Sequence, residues 1–488
     1  MEYVLGIDIG TGSVKAVAVD LKGNSFADAQ RYYPFNAPKP GYHEQDPEQI
    51  WQAFIESIKD VIAQAGLQPS AISLSSAMHS FIAVDDNGNT LAPMMTWADN
   101  RSAEIAVELR ATDRGMSIYK ATGTPIHSMS PLCKLIWLRG NDPDRFHKTH
   151  KFISIKEFIW HKLFNEFVVD YSIASSSGLF NITKFKWHED SLKLAGITTD
   201  VLSKPVATDY AKTGSSLAFL DKNIPFIIGA SDGCLANLGS MATEPGIAAM
   251  TIGTSGAVRV ASNKPLPNTE AMTFSYILDK STYICGGPIN NGGVAMQWWV
   301  KNATDPKATE KDYEQIFSQI AKIPASSNGL IFLPYLTGER APIWDSESCG
   351  NFFGIRLQHT QADFSRAVLE GICFAMLDVL DAVQENSDPI TQINISGGFT
   401  KSEVWVQTLA DVTGKKLAIL QADDASAVGA AFIALRVIGV MKDYPKASND
   451  LIIFEPNPAN RDIYNKTFSI YKQLYTDLKA TMHKVYKA

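Results

Sequence analysis

Two short runs of this chain share one design. Residues 7–15 read IDIGTGSVK and residues 250–259 read MTIGTSGAVR. In each, a strand-like run ends in Ile-Gly-Thr, turns over small polar residues, and re-enters a strand pattern with a basic residue close behind. Chance is one explanation, because Gly/Thr/Ser turns between strands are common. The other is a chain of two related halves, each opening with a hairpin whose tight loop can approach an anion. The turn residues Met241-Ala242-Thr243-Glu244-Pro245-Gly246 would then mark the junction. That organisation predicts a first domain over 1–241 and a second over 242–488, and 488 residues suit two or three domains.

The surrounding pattern is α/β. Tyr3–Ile9 reads as a buried strand and Val14–Val19 as its hairpin partner, with turn chemistry at Lys22-Gly23-Asn24. A helix is predicted from Asp46 to Gly66. Asp46 caps it, Pro47 suits the first turn, Gln49 completes a box-like signal, and Trp51, Phe54, Ile58, Val61 and Ile62 recur at helical spacing. Ile72–Ala77 reads as a strand, and Phe81–Val84 with Leu91–Thr96 as a hairpin around Asp86-Asn87-Gly88. A last helix, about Tyr464 to Lys487, carries Ile470, Leu474, Leu478, Met482 and Val485 on one stripe. Packing on a domain explains that stripe better than membrane binding.

Composition narrows the function classes. The net charge is −7 and no long basic run occurs, which argues against nucleic acid as the main partner. No apolar run approaches the length of a membrane span. Met1-Glu2-Tyr3 leads straight into a strand pattern without the features of a signal peptide, and the five cysteines form no CxxC pair. The expectation is a cytoplasmic protein with reduced, buried thiols.

The chemistry suggested by the residues is phosphate binding. Glycines let backbone N–H groups come close to a phosphate, and Thr and Ser add donors. Gly10-Thr11-Gly12-Ser13 and Gly253-Thr254-Ser255-Gly256 both qualify. Neither is a Walker A loop, and Lys15 stands where a dinucleotide fingerprint needs its third glycine. Asp8, just before the first loop, could hold Mg²⁺ or could simply shape the turn. Asp232 follows the apolar run Ile227-Ile228-Gly229-Ala230-Ser231. It could cap a helix, which local sequence slightly favours, or accept a proton in a cleft. Gly292-Gly293 and Ser396-Gly397-Gly398 are further glycine pairs beside strand-like runs.

Longer motifs then carry a resemblance. Met129-Ser130-Pro131 with Lys134-Leu135-Ile136-Trp137-Leu138 resembles the first signature of the FGGY carbohydrate kinases, departing from it at Gly140, where a polar residue is usual. Gly350-Asn351-Phe352-Phe353-Gly354-Ile355, followed by Asp363-Phe364 and Ala367-Val368-Leu369-Glu370, fits the second signature, with Leu336-Thr337-Gly338-Glu339-Arg340-Ala341-Pro342 ahead of it. The resemblance implies two ribonuclease H-like domains of the actin/hexokinase type around a cleft. Sugar would bind mainly to the first domain and ATP mainly to the second.

By position, the resemblance makes Thr11, Gly12, Ser13, Lys15, Gly253 and Thr254 contacts to ATP phosphates. Gly293 and Gln297 become nucleotide contacts, and Gly397, Gly398 and Ser402 belong to the adenosine motif, where several relatives have Asn in place of Ser402. Asp424 and Val428-Gly429-Ala430-Ala431 resemble the motif behind the adenine site. Asp232 becomes the catalytic base, which reverses the local preference for a cap, and Asp8 the Mg²⁺-linked carboxylate.

Ala77-Met78-His79-Ser80, Thr96-Trp97-Ala98-Asp99-Asn100-Arg101-Ser102 and the run from Gly229 to Gly239 look most like the gluconate kinase branch. Met78, His79, Trp97, Asp99, Arg101 and His127 are therefore the expected sugar contacts. A gluconate carboxylate would call for a cation, from Arg101 or His79. The plainer readings are a surface ion pair of Arg101 with Glu104 or Asp99, a core role for His79, and core packing for Trp97. The alternatives in function are a xylulose, polyol or other pentulose kinase of the same family, and a sugar- or nucleotide-binding sensor on the same fold. A homodimer is plausible from family habit.

Overall fold

A computed structural model describes residues 2–303, 307, 309–420, 424–446 and 451–486. By packing, the chain divides into two compact units. The first comprises Met1–Thr243, Ala261–Cys285 and Asp424–Lys446; the second comprises Glu244–Val260, Gly286–Asp423 and Ala447–Ala488. The expected cut at 241/242 falls beside the first boundary, but one cut does not describe the packing, because two later segments return to the first unit. The helix Ala425–Val437 shows why. Its small side chains Ala427, Ala430, Ala431 and Ala434 are fully buried. They join Val4, Val17, Leu235 and Leu238 in a single apolar cluster. Small residues bring the backbones together: a Cβ added to Gly6 would lie 1.9 Å from the Ala427 carbonyl oxygen, and one at Gly429 would lie 2.1 Å from that of Leu235.

The first unit holds a six-stranded sheet in the order Ala211–Lys212, Phe226–Ser231, Ala71–Ser76, Tyr3–Ile9, Ser13–Asp20, Ser25–Tyr32. Tyr3–Ile9 runs antiparallel to Ser13–Asp20 and parallel to Ala71–Ser76, which is in turn parallel to Phe226–Ser231. In the second unit, Ile247–Ile252 runs antiparallel to Gly256–Ser262 and parallel to Gln392–Ser396, which is parallel to Lys416–Ile419. The two Ile-Gly-Thr turns therefore join equivalent strands of one repeated topology. This likeness is architectural.

The first helix spans Pro47–Ala65, with the Asp46 side chain accepting from the Glu48 N–H and left-handed Gly66 ending it. Gln49 does not close a capping box. Its amide bonds the Asp46 carboxylate at 3.4 Å. The expected hairpin of 81–84 with 91–96 is reduced to isolated bridges, Phe81↔Met95 and Val84↔Thr90. Ile82–Val84 instead ladders with Lys151–Ile153, and Met94–Met95 with Glu44–Gln45. The last helix spans Pro458–Tyr486, and Lys487 lies outside the described residues. Its buried face is Tyr464, Thr467, Phe468, Tyr471, Leu474 and Met482, whereas Ile470 and Val485 are exposed. The aromatic rings set that rotation by packing on Phe374 of the helix Gln361–Gln384. Cys133, Cys234, Cys285 and Cys373 are buried, whereas Cys349, expected to be buried too, is only half-buried. No helix of the described residues is long and apolar enough to cross a membrane.

Candidate active site

The first unit gathers carboxylates where its strands end. Asp8 faces Lys15 across the opening hairpin and Ser75 on the parallel neighbour. The Ser75 hydroxyl donates to Asp8 Oδ1 at 2.6 Å. Burial pushes the Asp8 pKa up to about 7. The negative charges of Asp232 and Asp424 add to that rise, while Ser75 and Lys156 oppose it. Three acidic side chains thus share one electrostatic neighbourhood.

Asp232 opens the helix Asp232–Gly239 directly after the strand Phe226–Ser231, and Ser231 is the N-cap residue. Asp232 Oδ1 accepts the Gly233 N–H at 2.7 Å. A helix N-terminus favours a negative group. The cap-like bond and a place at the end of a sheet strand are therefore compatible, and sequence alone set them in opposition.

The loop at 10–13 is braced from several sides. Gly10 N–H donates to the Ser13 carbonyl at 3.0 Å, and the Tyr33 hydroxyl donates to the Gly10 carbonyl. Trp97 Nε1–H donates to Thr11 Oγ1 at 2.9 Å, Gln45 donates to the Thr11 carbonyl at 2.6 Å, and Gln30 donates to Ser13 Oγ at 2.8 Å. No atom lies within 4 Å of the position a Gly12 Cβ would take. Lys15 Nζ stands 2.5 Å from Asp424 Oδ2 and 3.7 Å from Asp28.

The expected sugar contacts divide by their partners. Asp99 is fully buried and receives Arg101 Nε at 2.8 Å, Arg101 Nη2 at 2.7 Å and the His43 N–H at 2.8 Å. Arg101 also donates to Glu44 at 2.6 Å and lies over the Tyr42 ring at 3.7 Å. Arg101 is thus ion-paired with Asp99, one of the two expected partners, and with Glu44 rather than Glu104. The pair is buried rather than on the surface, because the segment 42–44 encloses Asp99 and Arg101. Two carboxylates already balance its charge. His79 is buried with a left-handed backbone, φ 65°, and its ring meets Tyr276 edge-on, Nε2 standing 3.5 Å from the hydroxyl. Met78 packs on the cluster that holds the helix Ala425–Val437. His127 Nδ1 accepts the Met129 N–H at 3.2 Å, in the turn before the helix Pro131–Asn141.

Sequence reasoning missed the part played by Lys134. It is fully buried, and its ammonium donates to the His79 carbonyl at 2.6 Å and the Thr96 carbonyl at 2.7 Å. It therefore clamps the two loops that carry His79 and Trp97. The available signal was a lysine set within the otherwise apolar run Leu132-Cys133-Lys134-Leu135-Ile136-Trp137-Leu138.

The second unit contains a cavity of about 590 Å³, lined by Gly253, Thr254, Gly293, Gln297, Gly398 and Ser402, with Tyr313, Phe317 and Trp405 among its walls. This volume lies within the usual range for small-molecule sites. Gly293 N–H donates to the Gly253 carbonyl at 2.7 Å and Val294 N–H to the Thr254 carbonyl at 3.1 Å, so the helix Gly293–Ala303 is docked on the hairpin loop. Gly397 is not on the lining. Its φ is 114°, and an added Cβ would lie 2.3 Å from the Ile252 carbonyl oxygen, so it serves the close approach of two strand ends. Ser402 Oγ accepts the Trp405 N–H at 3.4 Å and caps the helix Glu403–Thr413.

Family models match both parts of the chain. Residues 3–239 match the N-terminal domain of the FGGY family of carbohydrate kinases, and residues 248–437 match its C-terminal domain. The chain is an FGGY carbohydrate kinase. Among relatives of this FGGY kinase, a gluconokinase of Bacillus licheniformis is 38% identical over 99% of this chain and 97% of its own. A xylulose kinase of Staphylococcus epidermidis is 29% identical over 98% of this chain and 97% of its own. Among solved structures, a gluconate kinase from Lactobacillus acidophilus superposes with a TM-score of 0.93 at 32% identity, covering 99% of both chains. A ligand-bound xylulose kinase from the same organism gives 0.94 at 32%, covering 99% of this chain and 100% of its own. The two-domain actin/hexokinase-like fold and an ATP-dependent kinase activity follow from membership of the FGGY family.

The signature residues of this FGGY kinase have structural partners. Asp363 closes a capping box with Thr360, and Glu370 receives Arg366, Ser327 and the Tyr464 hydroxyl. Glu339 accepts the Arg340 N–H and a side-chain N–H of Asn291. Among the described residues, no group of three or more His, Cys, Asp or Glu could hold a metal ion alone. A single hard carboxylate such as Asp8 still fits Mg²⁺, which keeps waters and takes phosphate oxygens as ligands.

Proposed function

We propose that this kinase transfers the γ-phosphoryl group of ATP to the terminal hydroxyl of D-gluconate, yielding 6-phosphogluconate and ADP. The observation that carries the substrate is the 38% identity to a gluconokinase over nearly the whole of both chains. Asp232 accepts the hydroxyl proton as the sugar oxygen bonds to the γ-phosphorus. The bond from that phosphorus to the bridging oxygen breaks, and ADP leaves. Asp8 holds Mg²⁺, which when bound neutralises charge on the phosphate oxygens. Gly253, Thr254, Gly293, Gln297 and Gly398 receive the nucleotide in the second unit's cavity, with Tyr313, Phe317 and Trp405 as apolar walls. Thr11, Gly12, Ser13 and Lys15 meet the phosphates from the first hairpin. Met78, His79, Trp97 and His127 line the sugar site, while Arg101 and Asp99 hold its loops in place. The same reading puts the enzyme in the cytoplasm, where ATP is made available.

A ketopentose kinase is the second reading, favoured by the equally close superposition on a xylulose kinase. A coupled ADP-release screen over gluconate, xylulose, ribulose and glycerol separates the two. Turnover that depends on gluconate and exceeds that with xylulose is expected. A strong xylulose signal without a gluconate signal would end the gluconate reading. Nucleotide binding without any sugar-dependent turnover would point to a sensor.

A further inference from the structure

The strand that delivers Asp232 is irregular just before it does so. Ile227 pairs with Ser73, but the register slips before Ala230 pairs with Ser75. Within the slip, the Ile228 and Gly229 N–H groups turn to the Tyr210 and Thr208 carbonyls. The ladder resumes with Ala230↔Ser75 and Ser231↔Ser76, so the last two pairs before Asp232 stand just beyond the irregularity. Bulges re-aim the side chains that follow them, and contacts from outside the sheet can fix that new direction.

Two buried groups do so. Lys156, on the helix Ile155–Phe164, has a side chain 1% exposed, and its Nζ donates to the Ala230 carbonyl at 2.7 Å. The same nitrogen lies 2.9 Å from Asp170 Oδ2, and Asp170 is also 1% exposed. Asp170 Oδ1 accepts the Ile173 N–H at 2.9 Å, capping the short helix Tyr171–Ser175. That helix carries Ser172, whose Oγ accepts the Ser231 N–H at 3.0 Å and donates to Ser231 Oγ at 2.9 Å. The carbonyl of Ala230 and the N–H and hydroxyl of Ser231 are thus all held by side chains from outside the sheet.

We propose that Lys156, locked by Asp170 and assisted by Ser172, is a positioning residue for phosphoryl transfer that fixes the backbone from which Asp232 presents its carboxylate. A buried ion pair is a poor way to gain stability, because desolvation offsets the attraction. A buried cation at this place does have a directional use. Burial lowers the Lys156 pKa, while Asp170, the Cys234 thiol and the Asp232 carboxylate oppose that, and the Lys156 charge in turn favours the ionised form of Asp8. It both orients the segment and offsets like charge among the carboxylates.

The inference rests on Asp232 acting as the base, so the wild-type enzyme is first assayed with the sugar identified by the substrate screen. A wrong substrate shows itself there, before any variant is read. Removing Lys156 alone would strand a buried carboxylate. The test variants are therefore Lys156→Met combined with Asp170→Asn, which keeps the helix cap, and the milder Ser172→Ala. In each, kcat is expected to fall about ten- to a hundredfold, with sugar and ATP KM values within about twofold of wild type. In an Asp232→Asn background, Ser172→Ala is expected to change the residual rate by less than about twofold, because no carboxylate remains to be aimed. An unchanged kcat in both variants would overturn the proposal. So would a loss that matches the fall in folded fraction by circular dichroism, or an equal effect of Ser172→Ala with and without Asp232.

Discussion

Lys15 and Asp424 form an ion pair, Nζ to Oδ2 at 2.5 Å, although most of the chain separates them in sequence. Lys15 lies on the second strand of the opening hairpin, and Asp424 immediately precedes the helix Ala425–Val437. The pair therefore ties a late segment to the first strands of its unit. Both side chains are about one-fifth exposed, at 20% and 23%. Lys15→Met should lower stability by only about 0.2–1 kcal/mol in urea denaturation. As a proposed contact to the ATP phosphates, Lys15 should on replacement by Met also raise the ATP KM, which so small a loss of folding stability leaves unchanged.

Gly6→Ala tests the same junction by packing. The added methyl would meet the Ala427 carbonyl oxygen at 1.9 Å, a backbone atom that cannot swing aside. A loss of about 1–3 kcal/mol or more is expected by thermal or chemical denaturation, well above the effect at Lys15.

Asp232→Asn keeps the shape of the helix start and removes the proton acceptor. Its kcat should fall by about 10²–10⁴ while calorimetric affinities for sugar and nucleotide stay near wild type. Near wild-type turnover would refute the base assignment.

Gly398 separates folding from binding. Nothing lies within 4 Å of the position its Cβ would take, and the residue lines the large cavity of the second unit. Gly398→Val should change stability by less than about 0.5 kcal/mol. Its side chain should fill part of that cavity and raise the ATP KM about tenfold or more, with the sugar KM unchanged.

Lys134 gives a pH dependence. Burial lowers its pKa from 10.5 to about 7, against the opposing pull of Asp99. Between these values the unfolded chain holds a proton that the folded protein has released. Stability from this group therefore rises with pH across that window, by at most about 1.4 kcal/mol per pH unit. Below about 7 both states are protonated, and the cost of the buried charge is fully present. The stability difference between wild type and Lys134→Met, followed by denaturation from pH 7 to 10, should shift in favour of wild type as pH rises. A flat difference would show that Lys134 keeps its ordinary pKa.

The elements legible in the sequence were those governed by neighbours in the chain. Tyr3–Ile9 and its hairpin, the Asp46-capped helix ending at Gly66, and the repeated Ile-Gly-Thr turn were all readable because strand alternation, caps and glycine turns act within a few residues. The family was readable because its signatures are long, although Asp363 and Glu370 turn out to serve a helix cap and a buried hydrogen-bond network. Which strand Ile82–Val84 would pair with was not readable, since its partner Lys151–Ile153 lies far along the chain and only packing brings it alongside. Nor was it legible that Glu44, brought alongside by chain folding, would take the place expected of Glu104 beside Arg101.

Local spacing thus determined the hairpins, the capped helices and the motifs that name the family. Tertiary structure alone decided that residues 424–446 return to the first unit, that Lys134 clamps two loops, and that Lys156 holds the segment before Asp232. The physical reason is range. A cap or turn is settled by groups already joined through the backbone, whereas a buried ammonium finds its carbonyls only after distant strands and helices have packed around it.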